Sequence, residues 1–206
     1  MTTPTITTDA TGTAEALPTK ATVDLEARGT ATVPSVATAT AEDCAETIRQ
    51  ALVDAGISDD HIRLVKVRLA DPSNQFGSEG DDTFRATRRL QVDCAPATAS
   101  KIAETAIDAG ATTVDVRFAL GEEKTQQLRS QAVATATERA RSLAAHIAEC
   151  EGVSIGPVRT VTTTTSEQGF QSLVDEALEF DPESDFQPSP IRISERVEAV
   201  FEISDE

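Results

Sequence analysis

The stretch LRSQAVATATERARSLAAHIAECEGVSIGPV, residues 128–158, decides the fold of this 206-residue chain. Its apolar residues recur every three or four positions, which predicts a long helix with one packing stripe. That stripe consists of Leu128, Ala132, Ala136, Ala140, Leu143 and Ile147. Gly152 is the expected C-cap, and Gly156 with Pro157 prevents the helix from continuing into the Thr-rich strand that follows. The pattern predicts a packing unit and carries no catalytic chemistry.

The elements before this stretch form two β-α-β halves. Alternating apolar and polar residues over 22–33 predict a strand. A helix over about 41–55, capped by Thr40 or Ser35, is expected to end at Gly56. The other elements are strands at about 62–69, 83–94 and 112–120 and a helix at 96–109 that ends at Gly110. The order βαββαβ predicts a ferredoxin-like split sheet.

The C-terminal part extends this sheet. A long Ala-rich helix over about 122–151 is followed by two further strands, at 158–165 and 191–203. The last strand is expected to pair into the same sheet system, because its odd positions are apolar. The predicted fold class is therefore α+β, a ferredoxin-like βαββαβ sheet extended by a long Ala-rich helix and two further strands.

The predicted domain organisation is simple. Residues 1–19 are Thr, Ala and Pro with almost no large apolar side chain, so we expect a disordered tail. Residues 20–206 are expected to form a single α+β domain. Within that domain, the acidic loop 166–190 exceeds the usual loop length and is expected to be flexible, although FQSLVDEALEF inside it is compatible with a short amphipathic helix.

The charge balance limits the classes of partner. The chain has 35 acidic and 18 basic residues, a net charge of -17, and only four of the basic residues are lysines. This composition is typical of proteins adapted to concentrated salt, where a Debye length of ~3 Å at 1 M weakens the repulsion between carboxylates. A surface of this sign repels nucleic acid and anionic membranes, so neither is expected as a partner.

The cellular location is predicted from the absence of a signal-like or membrane-spanning segment, and the state of the cysteines from their spacing. The first twenty residues have no basic segment followed by an apolar one, and no apolar run approaches the ~20 residues of a membrane span. We expect a soluble cytoplasmic protein. Cys44, Cys94 and Cys150 match neither a disulfide framework nor zinc-ligand spacing, so we expect buried thiols.

Candidate catalytic and metal sites are weak. The segment DPESD at 181–185 resembles the start of a calcium loop, but Phe186 and Arg192 occupy the positions that need Gly and Glu. His61 and His146 have no second His or Cys at ligand spacing. Nucleophile elbows and phosphate-binding Gly-rich loops are absent from the sequence. We therefore expect no catalytic residue, no metal and no cofactor.

A group of basic residues is the strongest candidate site. They fall at polar positions of three predicted strands and are Lys66, Arg68, Arg85, Arg89 and Arg117. The favoured interpretation is cross-strand pairing with Asp24, Glu26, Asp93 and Asp115, worth ~0.2–1 kcal/mol per pair. The functional alternative is a face that receives an acidic helix of another subunit or a small anion. Arg88 falls at an apolar position, which indicates a bulge or a buried pair.

The order of elements resembles the SIMPL-domain family. The resemblance covers about residues 23–203, and its segments are LVDAGISDDHIR, FRATRRLQVDC, AIDAGATTVDVRFAL, the Ala-rich helix with EGVSIGPV, and PIRISERVEAVFEI. It implies an α+β fold, no established enzymatic activity and, as in some relatives, large ring-like or channel-like oligomers. Bacterial members usually carry a secretion signal that this sequence lacks, and the segment after Pro34 is shorter than in relatives.

These observations predict a function only in broad terms. The leading hypothesis is a non-enzymatic, homo-oligomeric interaction or scaffold protein of the SIMPL type, adapted to high salt. A second hypothesis is a ligand-sensing module that binds a small anion. A remote third is a hydrolase, which would require a cleft that brings His61 or His146 near a Ser, a Cys or a carboxylate, and we expect neither to be so placed.

Overall fold

A computed structural model describes residues 4–71, 83–165 and 188–204 of the chain. The elements in chain order are β1 (Thr5–Ala16), β2 (Lys20–Ala31), α1 (Pro34–Asp54), β3 (Ile62–Ala70), β4 (Phe84–Cys94), α2 (Ala99–Asp108), β5 (Thr113–Ala119), α3 (Glu122–Cys150), β6 (Ser154–Thr165) and β7 (Ile191–Ser204). Where the sequence predicted one domain over 20–206, the chain divides into two compact units. We call residues 19–119 the split-sheet unit, and residues 1–18 with 120–206 the long-helix unit.

The split-sheet unit has the predicted topology. Its four strands are all antiparallel to their neighbours, in the order β3-β4-β2-β5. This is the order of a ferredoxin-like βαββαβ sheet, so the predicted α+β fold class is confirmed. Val23, Leu25 and Ala27 of β2 are fully buried and pack in one cluster with Ile48 and Leu52 of α1. The period of two in β2 thus places its apolar residues under the helices.

The ends of the helices follow the predicted glycines, whereas the start of α1 does not follow the predicted caps. Gly56, Gly110 and Gly152 adopt φ values of 94°, 99° and 70°, the left-handed conformation that ends a helix at little cost only for glycine. α1 begins at Pro34, because proline is favoured in the first turn, where its missing N–H costs nothing. Thr40 lies inside the helix, and its hydroxyl donates to the Val36 carbonyl.

The long-helix unit contains a separate sheet. Its strands are antiparallel in the order β1-β7-β6, and α3 packs mainly on β1 and β7. The prediction that the last strand joins the ferredoxin-like sheet is therefore wrong, because β7 pairs on both sides within this second sheet. Three strands extend the fold instead of the two that were expected.

The predicted disordered tail at residues 1–19 is wrong for the described part, because Thr5–Ala16 forms β1. The tail was inferred from the absence of large apolar side chains, yet small residues allow this strand to approach a helix closely. A Cβ added at Gly12 would lie 2.6 Å from the Ala136 nitrogen of α3. The Thr8 hydroxyl also donates to the Ala140 carbonyl over 2.8 Å. Close backbone approach here replaces the burial of large side chains.

The buried row of α3 differs from the predicted stripe in its last two turns. The row runs Leu128, Ala132, Ala136, Ala140, Ala144 and Ala148, four residues apart throughout. Leu143 and Ile147, predicted to be buried, are 45% and 36% exposed. Beyond Leu128 the row is alanine, which suits the close approach of β1 at Gly12 and Thr8. None of the described helices is both long enough and apolar enough to cross a membrane.

The predicted flexible acidic loop at 166–190 and the rejected calcium segment at 181–185 fall almost entirely outside the described residues. Only residues 188–190 of that loop are described.

Candidate functional site

The candidate basic residues lie on the open face of the split-sheet unit, which we define as the sheet face turned away from α1 and α2. The opposite face carries the core residues Val23, Leu25 and Leu90. Because side chains alternate along a strand, the polar positions of β2, β3, β4 and β5 all point to the open face. The strand register determines which of the five predicted residues lie close together.

Strand register assembles four of the five at one corner. Lys66 lies opposite Arg89, Arg68 lies opposite Thr87, and Arg85 lies opposite Ala70 at the end of β3. A register shift between Leu64 and Lys66 adds one residue to β3 at this point. We call Lys66, Arg68, Arg85 and Arg89 the basic corner.

Arg117 does not belong to the basic corner. It lies on β5 opposite Thr22, on the far side of β2 from β3 and β4. Its guanidinium forms an ion pair with Asp24, whose side chain is 9% exposed. Gln91 also donates to Asp24, over 3.3 Å. The buried carboxylate therefore has two donors, which is the condition under which a buried charge is tolerated.

The end of the open face near Asp24 is charge-paired. Arg63 of β3 forms an ion pair with Asp93 of β4. The Thr22 hydroxyl donates to Asp93 over 3.1 Å. Asp24 and Asp93 thus each pair with an arginine on a neighbouring strand, as the cross-strand interpretation predicted, whereas Asp115, which lies opposite Asp24, forms no ion pair within the described residues. The partner of Asp93, however, is Arg63, which was not among the predicted residues, because the register between β3 and β4 is not visible in the sequence.

Fewer carboxylates pair with the positive charges of the basic corner. Arg89 Nη2 lies 3.8 Å from Glu26 Oε2, and the same Glu26 accepts from Arg28 over 3.1 Å. Within residues 4–71, 83–165 and 188–204, Lys66, Arg68 and Arg85 form no ion pair. All three side chains are exposed. The open face is thus neutralised at one end and basic at the other.

Arg88 forms an ion pair that is only partly buried, because the side chains of Arg88 and Glu42 are 19% and 60% exposed. It lies on the helix side of β4, and its Nη2 is 3.0 Å from Glu42 Oε2 of α1. The Arg88 Nε atom is buried and has no hydrogen-bond partner among the described residues. The pair links the sheet to α1, and it is separate from the basic corner.

The two histidines lie in different surroundings. His61 is exposed in a short 3₁₀ turn at Asp59–His61, where Arg49 of α1 donates to Asp59 and holds the pKa of that carboxyl below its ordinary value. His146 is exposed on α3, and its Nε2 lies 3.9 Å from the Cys150 Sγ. His146 therefore lies near a cysteine, on the exposed surface of α3. The signal was present in the sequence, because residues four apart on a helix are neighbours.

The thiols are less buried than predicted. Cys150 is exposed, and Cys44 and Cys94 are half-buried. Burial raises the pKa of the Cys94 thiol above its ordinary value, which favours the protonated form. In the part of the chain that the structure describes, no group of three or more His, Cys, Asp or Glu side chains is arranged to hold a metal ion.

The family comparison agrees with the whole architecture. The family model SIMPL, described as a protein of unknown function (DUF541), matches residues 6–201. The chain belongs to the SIMPL family. The match includes β1 and β7, so the SIMPL domain spans both units and contains most of the segment predicted to be a tail. The resemblance seen in the sequence is confirmed. A search of curated proteins gives no match. The family description assigns no reaction to the SIMPL domain.

Proposed function

We propose that this SIMPL-family chain is a non-enzymatic cytoplasmic scaffold, adapted to concentrated salt, that assembles with copies of itself through the basic corner. The observation that carries the proposal is the presence of three exposed cations, Lys66, Arg68 and Arg85, without an ion pair in the described chain. They occur in a protein with a net charge of -17.

Repulsion among the cations of the basic corner supports the proposal that a partner binds there. Like charges on adjacent strands destabilise a sheet by an amount similar to that by which opposite charges stabilise it, ~0.2–1 kcal/mol per pair. Lys66 lies directly opposite Arg89, and Arg68 lies between Arg85 and Arg89 in the register. Glu26 is the carboxylate that contacts this group, and it is already shared with Arg28. An acidic surface placed over the corner would remove this repulsion.

A second copy of the chain is the proposed source of such a surface. The chain has 35 acidic and 18 basic residues, and among the described residues the split-sheet unit has thirteen acidic and eleven basic residues and the long-helix unit has ten and seven. Complementary potentials steer association and fix the orientation of partners. The basic corner of one copy is therefore expected to contact a carboxylate-rich surface of the next.

The test is a double substitution at the corner, Arg68→Gln with Arg85→Gln. Loss of desolvated charge pairs at an interface costs ~2–5 kcal/mol, so the assembly should dissociate while each subunit stays folded. Light scattering in molar salt measures the mass, and circular dichroism measures folding. The matched control is Arg192→Gln with Arg196→Gln, two exposed arginines that already pair with Glu15 and Asp9. An unchanged mass for the corner variant would contradict the proposal.

A small anion is the second candidate occupant of the basic corner. Its support is the same concentration of cations on two adjacent strands. Inorganic phosphate at a hundred times its dissociation constant would stabilise the fold by ~2.7 kcal/mol. A thermal shift with phosphate that disappears in the corner variant would favour this candidate, and no shift up to that excess would exclude it.

A further inference from the structure

β3 is an edge strand that is exposed on both faces. The seven residues 63–69 are all exposed. α1 packs mainly on β2 and β4, and α2 packs on β2 and β5, so the helices cover β3 little beyond the buried Ile62 at its start. On the helix side of β3, Leu64, Val67 and Leu69 are 49%, 55% and 50% exposed. An apolar stripe and a row of main-chain groups that pair with no other described strand thus lie at the same edge.

β6 has the same property in the long-helix unit. Residues 157–164 are all exposed, because α3 covers mainly β1 and β7. On its helix side, Val158 and Val161 lie opposite the buried residues Phe201 and Ala199 and are themselves nearly half exposed. The other two edges differ: β1 and β5 alternate between exposed and more buried residues, since one face of each is covered.

Charge decides which edge suits β3. A second β3 would place Arg63, Lys66 and Arg68 of one copy against the same three residues of another, and like charges opposite each other are destabilising. β6 has no acidic residue and a single basic one, Arg159. Behind it, on the side turned away from α3, Glu198 of β7 lies opposite Thr162 and is exposed. The β6 edge therefore carries one cation, against three on β3, and has a carboxylate next to it.

Outside their register shifts, β3 and β6 each have a regular stretch, and the two stretches are similar in length. β3 is regular from Lys66 to Ala70, after its register shift. β6 is regular from Thr160 to Thr165, after shifts on both sides of Val158. The regular part of β6 is rich in threonine, a β-branched residue that favours strands. Bulges commonly protect an edge from pairing, and these two regular stretches lie outside them.

We propose that the β3 edge of one copy pairs with the β6 edge of the next copy, which joins the two kinds of sheet through main-chain hydrogen bonds. The apolar stripes of the two strands then lie side by side, and Lys66 and Arg68 lie beside Thr160 and Thr162. The contact is heterologous, so a single contact leaves one copy with a β6 edge and the other with a β3 edge for further pairing. This inference rests on the proposed self-assembly and names its contact.

The contact suits concentrated salt. Exposed charges are screened over ~3 Å at 1 M salt, whereas salts that are excluded from protein surfaces strengthen the burial of apolar area. In this arrangement the main chain and the stripe Leu64, Val67 and Leu69 hold the copies together with the basic corner, which lies over the carboxylate of Glu198 behind β6. The charge of the basic corner also disfavours pairing with a second β3.

Directed cross-linking tests the pairing. The native thiols are replaced by Cys44→Ala, Cys94→Ala and Cys150→Ser, and Val67→Cys or Val161→Cys is then introduced. One variant carries an added tag, so that cross-linked pairs of each kind have different masses on a denaturing gel. A short bis-maleimide reacts with each variant alone and with the mixture. Val36→Cys, at an equally exposed valine of α1, replaces either partner as the control for random collision.

The proposed pairing predicts cross-linking between Val67→Cys and Val161→Cys in the mixture, well above the Val36→Cys control, and little within either variant alone. Strong cross-linking of Val67→Cys with itself would overturn the inference in favour of a β3–β3 contact. Control-level cross-linking in a mixture that still assembles by light scattering would reject the edges and leave the proposed function intact. A monomer in light scattering would reject both. If the thiol-free background does not assemble, the same pairs are tested with Cys150→Ser alone.

Discussion

The two units of this SIMPL chain use the same contact between glycine and helix, but they surround it differently. Gly29 of β2 lies against α1, where an added Cβ would be 2.5 Å from the Ala41 nitrogen, and Gly12 of β1 lies against α3 in the same manner, 2.6 Å from the Ala136 nitrogen. In the split-sheet unit, large residues such as Leu25, Ile48 and Leu52 fill the rest of the core. In the long-helix unit, most of the buried positions of α3 are alanine.

The difference shows two ways of attaching a helix to a sheet. Large side chains bury more area per residue and tolerate small shifts of the backbone. An alanine row buries little per residue and depends on dispersion contacts at close range, which weaken steeply when a gap opens. The long-helix unit should therefore be the more sensitive of the two to small changes at its few large residues and at its glycine.

The largest expected effect is that of Phe201→Ala in the long-helix unit. Phe201 is the largest fully buried side chain and packs against Ala140 and Ala144. Removing a buried phenylalanine costs ~3–5 kcal/mol, and the alanines around it cannot fill the cavity. The matched change in the split-sheet unit is Leu25→Ala, for which ~2–5 kcal/mol is usual. Urea unfolding measures both, and a smaller loss for Phe201→Ala would contradict the comparison.

The next effect is that of Gly12→Ala compared with Gly29→Ala. The added methyl group would meet helix backbone in both units, and overpacking of this kind costs ~1–3 kcal/mol. Gly12→Ala should cost more, because fewer large core residues hold α3 in place when β1 is displaced. Thr13→Ala, at an exposed position next to Gly12, is the control and should be nearly neutral. Equal losses at Gly12 and Gly29 would show that the core type does not matter.

The smallest effect concerns salt. Lowering salt from 1 M to 0.1 M lengthens the screening distance from ~3 Å to ~10 Å and increases repulsion among carboxylates. The long-helix unit, with nineteen acidic and seven basic residues over the full sequence of 1–18 and 120–206, should lose more stability than the split-sheet unit. Hydrogen exchange of β7 compared with β2 measures the two separately. If protection is the same at both salt concentrations, the high-salt adaptation is wrong.

The sequence predicted that the basic residues share one sheet face. It did not predict that Arg117 lies apart from the basic corner. The alternation of polar and apolar residues predicted that Lys66, Arg85 and Arg117 lie on one face of the sheet. This prediction is possible because alternation along a strand depends only on local geometry. The strand order places Arg117 on β5, away from Lys66 and Arg85 on β3 and β4. The register between β3 and β4 places Arg63 next to Asp93, with which it forms an ion pair. Order and register depend on pairing between distant segments, which a single sequence does not display.

The sequence by itself determined the order of the elements, the helix ends at Gly56, Gly110 and Gly152, and the alternation that buries one face of β2. These features follow from interactions within a few residues, namely backbone conformation and the periods of strand and helix. Only the tertiary structure decided that residues 5–16 form a strand, because β1 gains its order from pairing with β7 at the other end of the chain. It also decided that Ala144, and not Leu143, faces the sheet, because alanine suits the close approach of β1 to α3.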